Sequence, residues 1–435
     1  MTASTRTILI DGYNLSLQKG TGVATYARNL SKEIGRIGHE VAVLYGNRSN
    51  MSPDPLLREV SFFDTDAQRH PGTWGNALEQ CLYALRGPLG QTARAVPTTG
   101  KVVTRTFASR LPHYDRVFNA PDVFRRAQSA FKLWGKLSAI KPPEMPDLAH
   151  WTYPMPLRLA GRPNIYTLHD MVPLRLPYTT LDDKRAYLRL IRKLDRSADH
   201  FVTVSECSRR DLVEVAGIAP ERITNTYQSV DIPAALRDKP EDQVAREVEG
   251  FADLGYRDYL LFWGSIEPKK NIGRLLEAYL ASQVDVPLLV IGAQAWKSDQ
   301  ELQVLNQKGK LGEKARKRVV QLPYVPFPML ITLIRGARGV LFPSLYEGFG
   351  LPALEAMLLG TPVLCSDTAS LPEIAGDAAL MVDPYDTAAI CQGIRTLCAD
   401  ADLRAELSRR GLIQARKFAP EAYRARLDEL YRRFL

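Results

Sequence analysis

The chain runs to 435 residues, 45% hydrophobic and 24% charged with a formal net charge of +9, enough for two or three ordinary domains with real cores. Its five cysteines (Cys81, Cys207, Cys365, Cys391, Cys398) are scattered, without CxxC or zinc-type spacing, which argues against a disulfide framework or metal knot and for a reducing, cytoplasmic setting. The amino terminus leads straight into an apolar strand without the layout of a secretory signal, and no apolar run approaches the roughly 18 residues of a spanning helix, so no membrane crossing is expected.

Residues 6–11 (RTILID) read as a short buried strand, followed by a turn with Gly20 and Gly22, a helix over 23–39 and a second strand over 40–45 (EVAVLY). This is the opening βαβ of a doubly wound sheet. A lone Gly20-x-Gly22 is a weak dinucleotide fingerprint, and the second strand ends in Leu44 and Tyr45 rather than a ribose-binding acid, so the turn reads as a glycine loop facing a cleft. From about 50 to 146 the rhythm is lost in a Pro-, Gly- and Arg-bearing stretch, read as an inserted, partly helical subregion. Within it, residues 69–141 hold twelve Lys or Arg against three acids, which accounts for the whole positive excess. With aromatics such as Trp74, Tyr83, Phe107, Phe124 and Trp134 interleaved, the segment suits either a solvated basic face or a surface for anionic lipid. Nucleic-acid binding would need readout elements beyond charge, and none is recognisable. Asp64 and Asp66 form an Asp-x-Asp pair, but outside any βα junction it reads as chance rather than as a metal site.

The rhythm resumes at 147. LAHWTY (148–153) and NIYTLHD (164–170) are strand-like, 182–198 is an amphipathic helix, and HFVTVS (200–205) is a strand leading to a helix over 206–217 with Ser205 as its N-cap. Residues 239–250, acidic and Pro-bearing, read as a linker. Five short apolar runs follow, at 259–264, 287–292, 318–325, 339–344 and 362–367, as a parallel sheet buried on both faces requires. The expected fold is α/β: a Rossmann-like domain over 1–245, a second over 246–415, and a closing helical segment, 416–435, packing back on the first.

The most informative stretch is 344–367, SLYEGFGLPALEAMLLGTPVLCSD. A strand ends just before it, the glycines of EGFG let backbone amides approach a ligand, and Pro352 suits a first helical turn. Free N–H groups and the positive dipole end at that helix start suit a diphosphate. Glu347 in the loop and Glu355 on the helix are good acceptors for paired sugar hydroxyls. A cation at Lys270 would stabilise negative charge on a departing diphosphate without a metal. His169, at a strand end of the first domain, stands where ligands of open α/β sheets gather, although a strand-end histidine taken by itself is more often structural. Glu373 reads either as a helix-start acid balancing a dipole or as a catalytic group.

This region resembles the retaining glycosyltransferases of family 4, which have the two-domain GT-B architecture and a Glu-x7-Glu motif matched by Glu347 and Glu355. Further matches are WGSIEPKKNI (263–272), SLPEIAGDAALMVDP, TVSECSRRDL, the pair His169 and Asp170, and the IDGYN and GTGVATYARNL opening. The resemblance spans nearly all of the chain outside 50–146. It implies catalytic roles for Glu347, His169 and Lys270, a donor site from Gly22, Ser265, Lys269, Lys270, Gly348, Phe349, Gly350, Leu351 and Glu355, and an acceptor contact at Asp170. Ser265 stands where the family often carries an arginine, and Lys269 is the cation placed to compensate. By the same resemblance the chain is a retaining hexosyltransferase of surface polysaccharide assembly, using no metal or cofactor, with GDP-mannose as donor and a glycan or lipid-linked acceptor. The alternatives are a non-catalytic nucleotide-sugar or polysaccharide-binding protein and a phosphorylase of the same architecture, for which a cofactor-lysine context is lacking.

Overall fold

The computed structural model describes residues 5–16, 22–48, 52, 54–63, 90–102, 111–251, 254–307 and 309–435. Gly20, Asp64, Asp66, Cys81, Trp74, Tyr83, Phe107 and four of the basic residues (Arg69, Arg86, Arg105, Arg110) lie outside them.

The first domain is built on eight strands: β1 (Thr7–Asp11), β2 (Glu40–Tyr45), β4 (Arg94–Val96), β5 (Arg116–Asn119), β7 (Leu148–Trp151), β9 (Asn164–Thr167), β10 (His200–Thr203) and β11 (Ile223–Asn225). A small side sheet takes β3 (Gln91–Thr92), β6 (Ser138–Lys141) and β8 (Leu157–Leu159). The main order is β11-β10-β9-β7-β1-β2-β5-β4, parallel throughout except for β4 against β5. Every residue of β7, β9 and β10 is buried, as helices covering both faces require, and their histidines are hydrogen-bonded, His150 to Thr167 Oγ1 at 2.8 Å and His200 to Thr224 Oγ1 at 2.7 Å. The winding direction reverses between β1 and β7, so a crevice opens at their carboxyl ends.

The second domain holds β12 (Leu260–Trp263), β13 (Leu288–Ile291), β14 (Val319–Leu322), β15 (Gly339–Phe342), β16 (Val363–Ser366) and β17 (Ala379–Val382), ordered β14-β13-β12-β15-β16-β17 and all parallel. Its reversal lies between β12 and β15, at whose carboxyl ends stand the 263–272 and 344–351 segments. Two doubly wound domains thus turn their crevices toward one cleft.

Two expectations need correcting. The stretch 50–146 is not one insertion, because β4 and β5 belong to the main sheet and the helix Val123–Trp134 follows them. Their signal was weak because each strand has at most four residues and begins with arginine. Residues 239–250 are not an open linker either. The helix Glu241–Glu249 buries Val244 and Val248, four apart on one face, while Glu247 accepts from Thr332 Oγ1 at 2.8 Å on the helix Phe327–Gly336. At the other end of the chain, the helix Pro420–Tyr431 lies on the helix Gly22–Ile37 of the first domain. Arg424 Nε donates to Glu33 at 2.7 Å, and the Tyr431 hydroxyl meets His150 Nδ1 at 2.7 Å.

Candidate active site

The loop after β12 is shaped by one asparagine. Asn271 adopts a left-handed conformation (φ 62°), which Asn tolerates better than most residues, and its amide donates to the Pro343 and Pro384 carbonyls at 2.9 and 2.7 Å. Leu345 N–H donates to the Lys269 carbonyl at 2.8 Å, which ties this loop to the one after β15. The result is an ion pair at the switch point: Lys270 Nζ donates to Glu347 Oε1 at 2.6 Å, with side-chain exposures of only 12% and 9%.

Burial alone would raise the Glu347 carboxyl, but the Lys270 and Lys269 ammonium groups outweigh it and hold it below the ordinary range. Burial would likewise neutralise Lys269. Glu267, 3.6 Å away, together with Asp170 and Glu347, keeps it charged with a raised pKa. One Lys270 hydrogen is used by Glu347, leaving two for a ligand anion.

The helix Leu351–Leu358 starts after Gly350, whose φ of 102° only glycine adopts readily, and a Cβ there would sit 2.7 Å from Leu371 Cδ2. Its first amides lack helical acceptors and, with Pro352 in the first turn, make an anion-binding end. The buried Ser370 hydroxyl lies 2.8 and 2.9 Å from the Glu347 and Phe349 carbonyls, fixing the loop from behind. The Phe349 ring turns away, edge-on to Phe418 at 5.6 Å, so only its backbone is available to a ligand. Glu355 is half-buried and hydrogen-bonded by Trp263 at the end of β12, and desolvation pushes its carboxyl up to about 7.

The first domain meets this loop directly. A Cβ on Gly348 would lie 2.5 Å from the His169 carbonyl oxygen, so only glycine permits the approach. Ser205 Oγ donates to the Gly348 carbonyl at 2.7 Å while capping its own helix, Glu206–Ala216, and Ser208 Oγ donates to the His169 carbonyl at 2.7 Å. A Cβ on Gly22 would lie 3.5 Å from Leu351 Cδ1, so the start of the first-domain helix faces the start of the 351–358 helix. The His169 Nε2 lies 2.9 Å from the Thr152 carbonyl, which can only accept, so Nε2 carries the proton and Nδ1 is left as acceptor. Burial lowers the pKa of His169 and keeps it neutral, and the Tyr26 ring packs edge-on at 4.8 Å. Behind it, Asp11 Oδ2 accepts the Thr152 N–H at 2.5 Å, across the β1/β7 reversal. Asp170 caps a turn, accepting Val172 N–H at 3.1 Å.

The cleft therefore gathers Glu347, Lys270, Lys269, Gly348, Leu351, Gly22, His169 and Asp170, with Glu355 reaching it beside Trp263. Ser265 is solvent-exposed at its edge. Asn271, Ser205, Ser208, Ser370, Asp11 and Thr152 were not singled out as site residues from sequence. Glu373 does stand in the first turn of its own helix, Leu371–Ala375, as read from sequence, and it has a second role that the sequence did not show. Its two oxygens accept Glu206 and Cys207 N–H at 2.7 and 3.2 Å, the first amides of a helix in the other domain, beside a Tyr346 hydroxyl bond to Asp211. Among the described residues no three His, Cys, Asp or Glu side chains gather as a metal-binding set. A cavity of about 1150 Å³ lies at the domain junction, lined by Val230, Arg335, Leu354, Leu358, Arg404 and Phe418 among others, and none of the cleft residues named above lines it.

Residues 93–232 match the family described as Glycosyltransferase Family 4, and residues 252–413 match Glycosyl transferases group 1. The first match begins next to β4, inside the stretch read as an insertion. The O-antigen chain mannosyltransferase B of Escherichia coli is 35% identical over 263 residues, 59% of this chain and 67% of its own. The serotype-specific mannosyltransferase WbdA of Escherichia coli is 28% identical over 256 residues, 58% of this chain but only 31% of that longer protein. The solved structure of Anabaena HepE with UDP and glucose superposes with a TM-score of 0.65 at 16% identity, covering 98% of this chain and 99% of that one, a likeness of fold.

Proposed function

The chain belongs to the GT-B glycosyltransferases related to the group 1 and family 4 enzymes, and from that premise we propose that it transfers a hexose, with retention of anomeric configuration, to a glycan or lipid-linked acceptor in surface polysaccharide assembly. We assign mannose as the transferred sugar, which the mannosyltransferase relatives support, and take GDP-mannose as its donor. One observation carries the mechanism: the 2.6 Å Lys270–Glu347 pair at the switch point, beside the amides that open the 351–358 helix.

In this reading the donor diphosphate lies on those amides and on the remaining Lys270 hydrogens. As the bond from the anomeric carbon to the phosphate oxygen breaks, negative charge grows where a fixed cation and preorganised N–H groups already stand. The unused Glu347 oxygen grips sugar hydroxyls, and Glu355 accepts from the ribose. His169, being neutral, offers an acceptor rather than a second cation. The acceptor oxygen attacks from the face the phosphate leaves, and its proton passes to the departing phosphate oxygen, so no side-chain nucleophile and no metal is required. Packing of Gly348 on His169 and Ser205 excludes the water that would otherwise hydrolyse the donor.

The test is incubation with GDP-mannose and a lipid-linked or glycan acceptor, following nucleoside diphosphate release and the product anomer by NMR. Stoichiometric release with an α-linked product is expected, and an inverted linkage would overturn the mechanism. The exposed serine at position 265 favours the one competing reading, a binding protein without turnover. Donor binding with no diphosphate release under any acceptor would support it.

A further inference from the structure

The positive excess of residues 69–141 is laid out on the molecule in a way its sequence position does not show. Some of it is neutralised locally: Arg116 pairs with Glu40 at 2.9 Å and Arg125 approaches Asp122 at 3.8 Å. Among the described residues others, such as Lys132 and Lys136, stand exposed, and further exposed cations come from a neighbour, the helix Lys184–Asp195. Arg185, Arg189, Arg192 and Arg196 are exposed at successive spacings of four, three and four, and so form one stripe along it, opposite the buried Ile191 and Leu194. Among the described residues Arg185, Arg192 and Arg196 form no ion pair. The acid at the end of this helix, Asp195, is engaged by Arg222 at 2.6 Å, while Asp182 and Asp183 lie before its start.

Arg189 joins the stripe to the helix Val123–Trp134. It lies over the Phe131 ring at 5.4 Å and donates to the Lys132 carbonyl at 3.3 Å. At that junction Lys132, Leu133, Trp134 and Lys136 are all exposed, Leu133 by 59% and Trp134 by 50%. A projecting Leu–Trp pair rimmed by lysines and arginines combines apolar insertion with attraction to anionic headgroups. Nucleic acid would use the cations but gain nothing from an exposed leucine.

We propose that this face, the arginine stripe with Leu133 and Trp134, docks on an anionic lipid bilayer. The same helix abuts the cleft, since the Tyr187 hydroxyl donates to the Asp170 carbonyl at 3.1 Å. Docking would bring the first-domain side of the cleft to the membrane surface, where a lipid-linked acceptor is anchored. That last step rests on the function proposed above, whereas the docking itself does not.

The experiment is sedimentation of the full chain with phosphatidylcholine vesicles with and without phosphatidylglycerol, which needs no sugar donor and so fails independently of the transferase reading. The wild type should bind the anionic vesicles, lose that binding as salt is raised, and ignore the neutral ones. Arg185→Glu/Arg192→Glu/Arg196→Glu should weaken binding by on the order of a hundredfold or more, from ~1 kcal/mol per cation. Leu133→Ser should weaken it severalfold even at low salt, and both variants should keep wild-type transfer to a soluble acceptor. Undiminished sedimentation of the triple variant, or equal binding to neutral vesicles, would contradict the proposal. Retention on DNA at higher salt than on vesicles would assign the stripe to nucleic acid. Should the triple variant not fold, salt-insensitive vesicle binding of the wild type would be equally contrary.

Discussion

Glu347 and Glu355 come from one short motif, yet the fold shifts their carboxyls in opposite directions. Lys270 and Lys269 hold Glu347 below the ordinary carboxylate range, while desolvation beside Trp263 pushes Glu355 up to about 7. Glu355 thus binds a proton in the folded chain that the unfolded chain releases at ordinary carboxylate pH. The stability this contributes is complete below about pH 4.5 and is lost as pH rises through 7. Melting of the ligand-free protein should accordingly fall between pH 5 and 8 by roughly 1–3 kcal/mol more than that of Glu355→Gln. Donor affinity should rise over the same window in the wild type, as the carboxylate becomes available to the ribose, and stay flat in the variant. A titration calorimetry series that shows equal slopes would remove Glu355 from the donor site. Glu347, Lys270 and His169 could be singled out because their segments resemble a family's motifs, and the charge of a departing diphosphate gives an independent reason only for the cation at Lys270. Asn271 and Asp11 were not, because their roles lie in the carbonyl and amide they hold, which no side-chain pattern reveals.

At the scale of elements, the loop 347–350 is shared property of both domains. Gly348→Ala puts a methyl 2.5 Å from the His169 carbonyl and should hold the domains apart. A misplacement of that size near the chemistry costs on the order of a hundredfold in turnover. Binding of nucleoside diphosphate to the second domain should change little, which calorimetry against steady-state rates would separate. Glu373→Ala should act the same way and more weakly. It strips the Glu206 and Cys207 amides of a charged acceptor, a contact type typically contributing ~1.5–3 kcal/mol, and small-angle scattering should show a more open molecule with donor bound. Unchanged scattering and rates would make Glu373 a bystander. Five of the six strands of the second domain were plain in sequence, since parallel strands buried on both faces read as apolar runs, whereas β17 was missed at the sheet edge, where three of its four residues are only partly buried. The helix Glu241–Glu249 was hidden because only Val244 and Val248 face inward, and β4 and β5 because three- and four-residue strands starting with arginine carry almost no period. The cross-domain duty of Glu373 depends on a helix more than 160 residues away and is invisible locally.

For the whole molecule, the arrangement follows from two sheets that each reverse direction once and from a chain that crosses between them twice, through the 230–250 region and again before the helix Pro420–Tyr431. The second crossing returns the C-terminal helix to the first domain, where Arg424 and Tyr431 fasten it beneath the strands that present His169. The doubly wound class was readable from alternating apolar runs and helices, but the relative seating of the domains rests on contacts such as Gly348 with His169 that only the folded chain defines. The central claim is that this seating surrounds a departing diphosphate with Lys270 and the helix-start amides. Single-turnover release of GDP from GDP-mannose in the presence of acceptor tests it most directly, comparing the wild type with Lys270→Ala. The rate should fall by roughly 10²–10³, and a Lys270→Ala rate within a few fold of wild type, in a variant that melts like its parent, would contradict it.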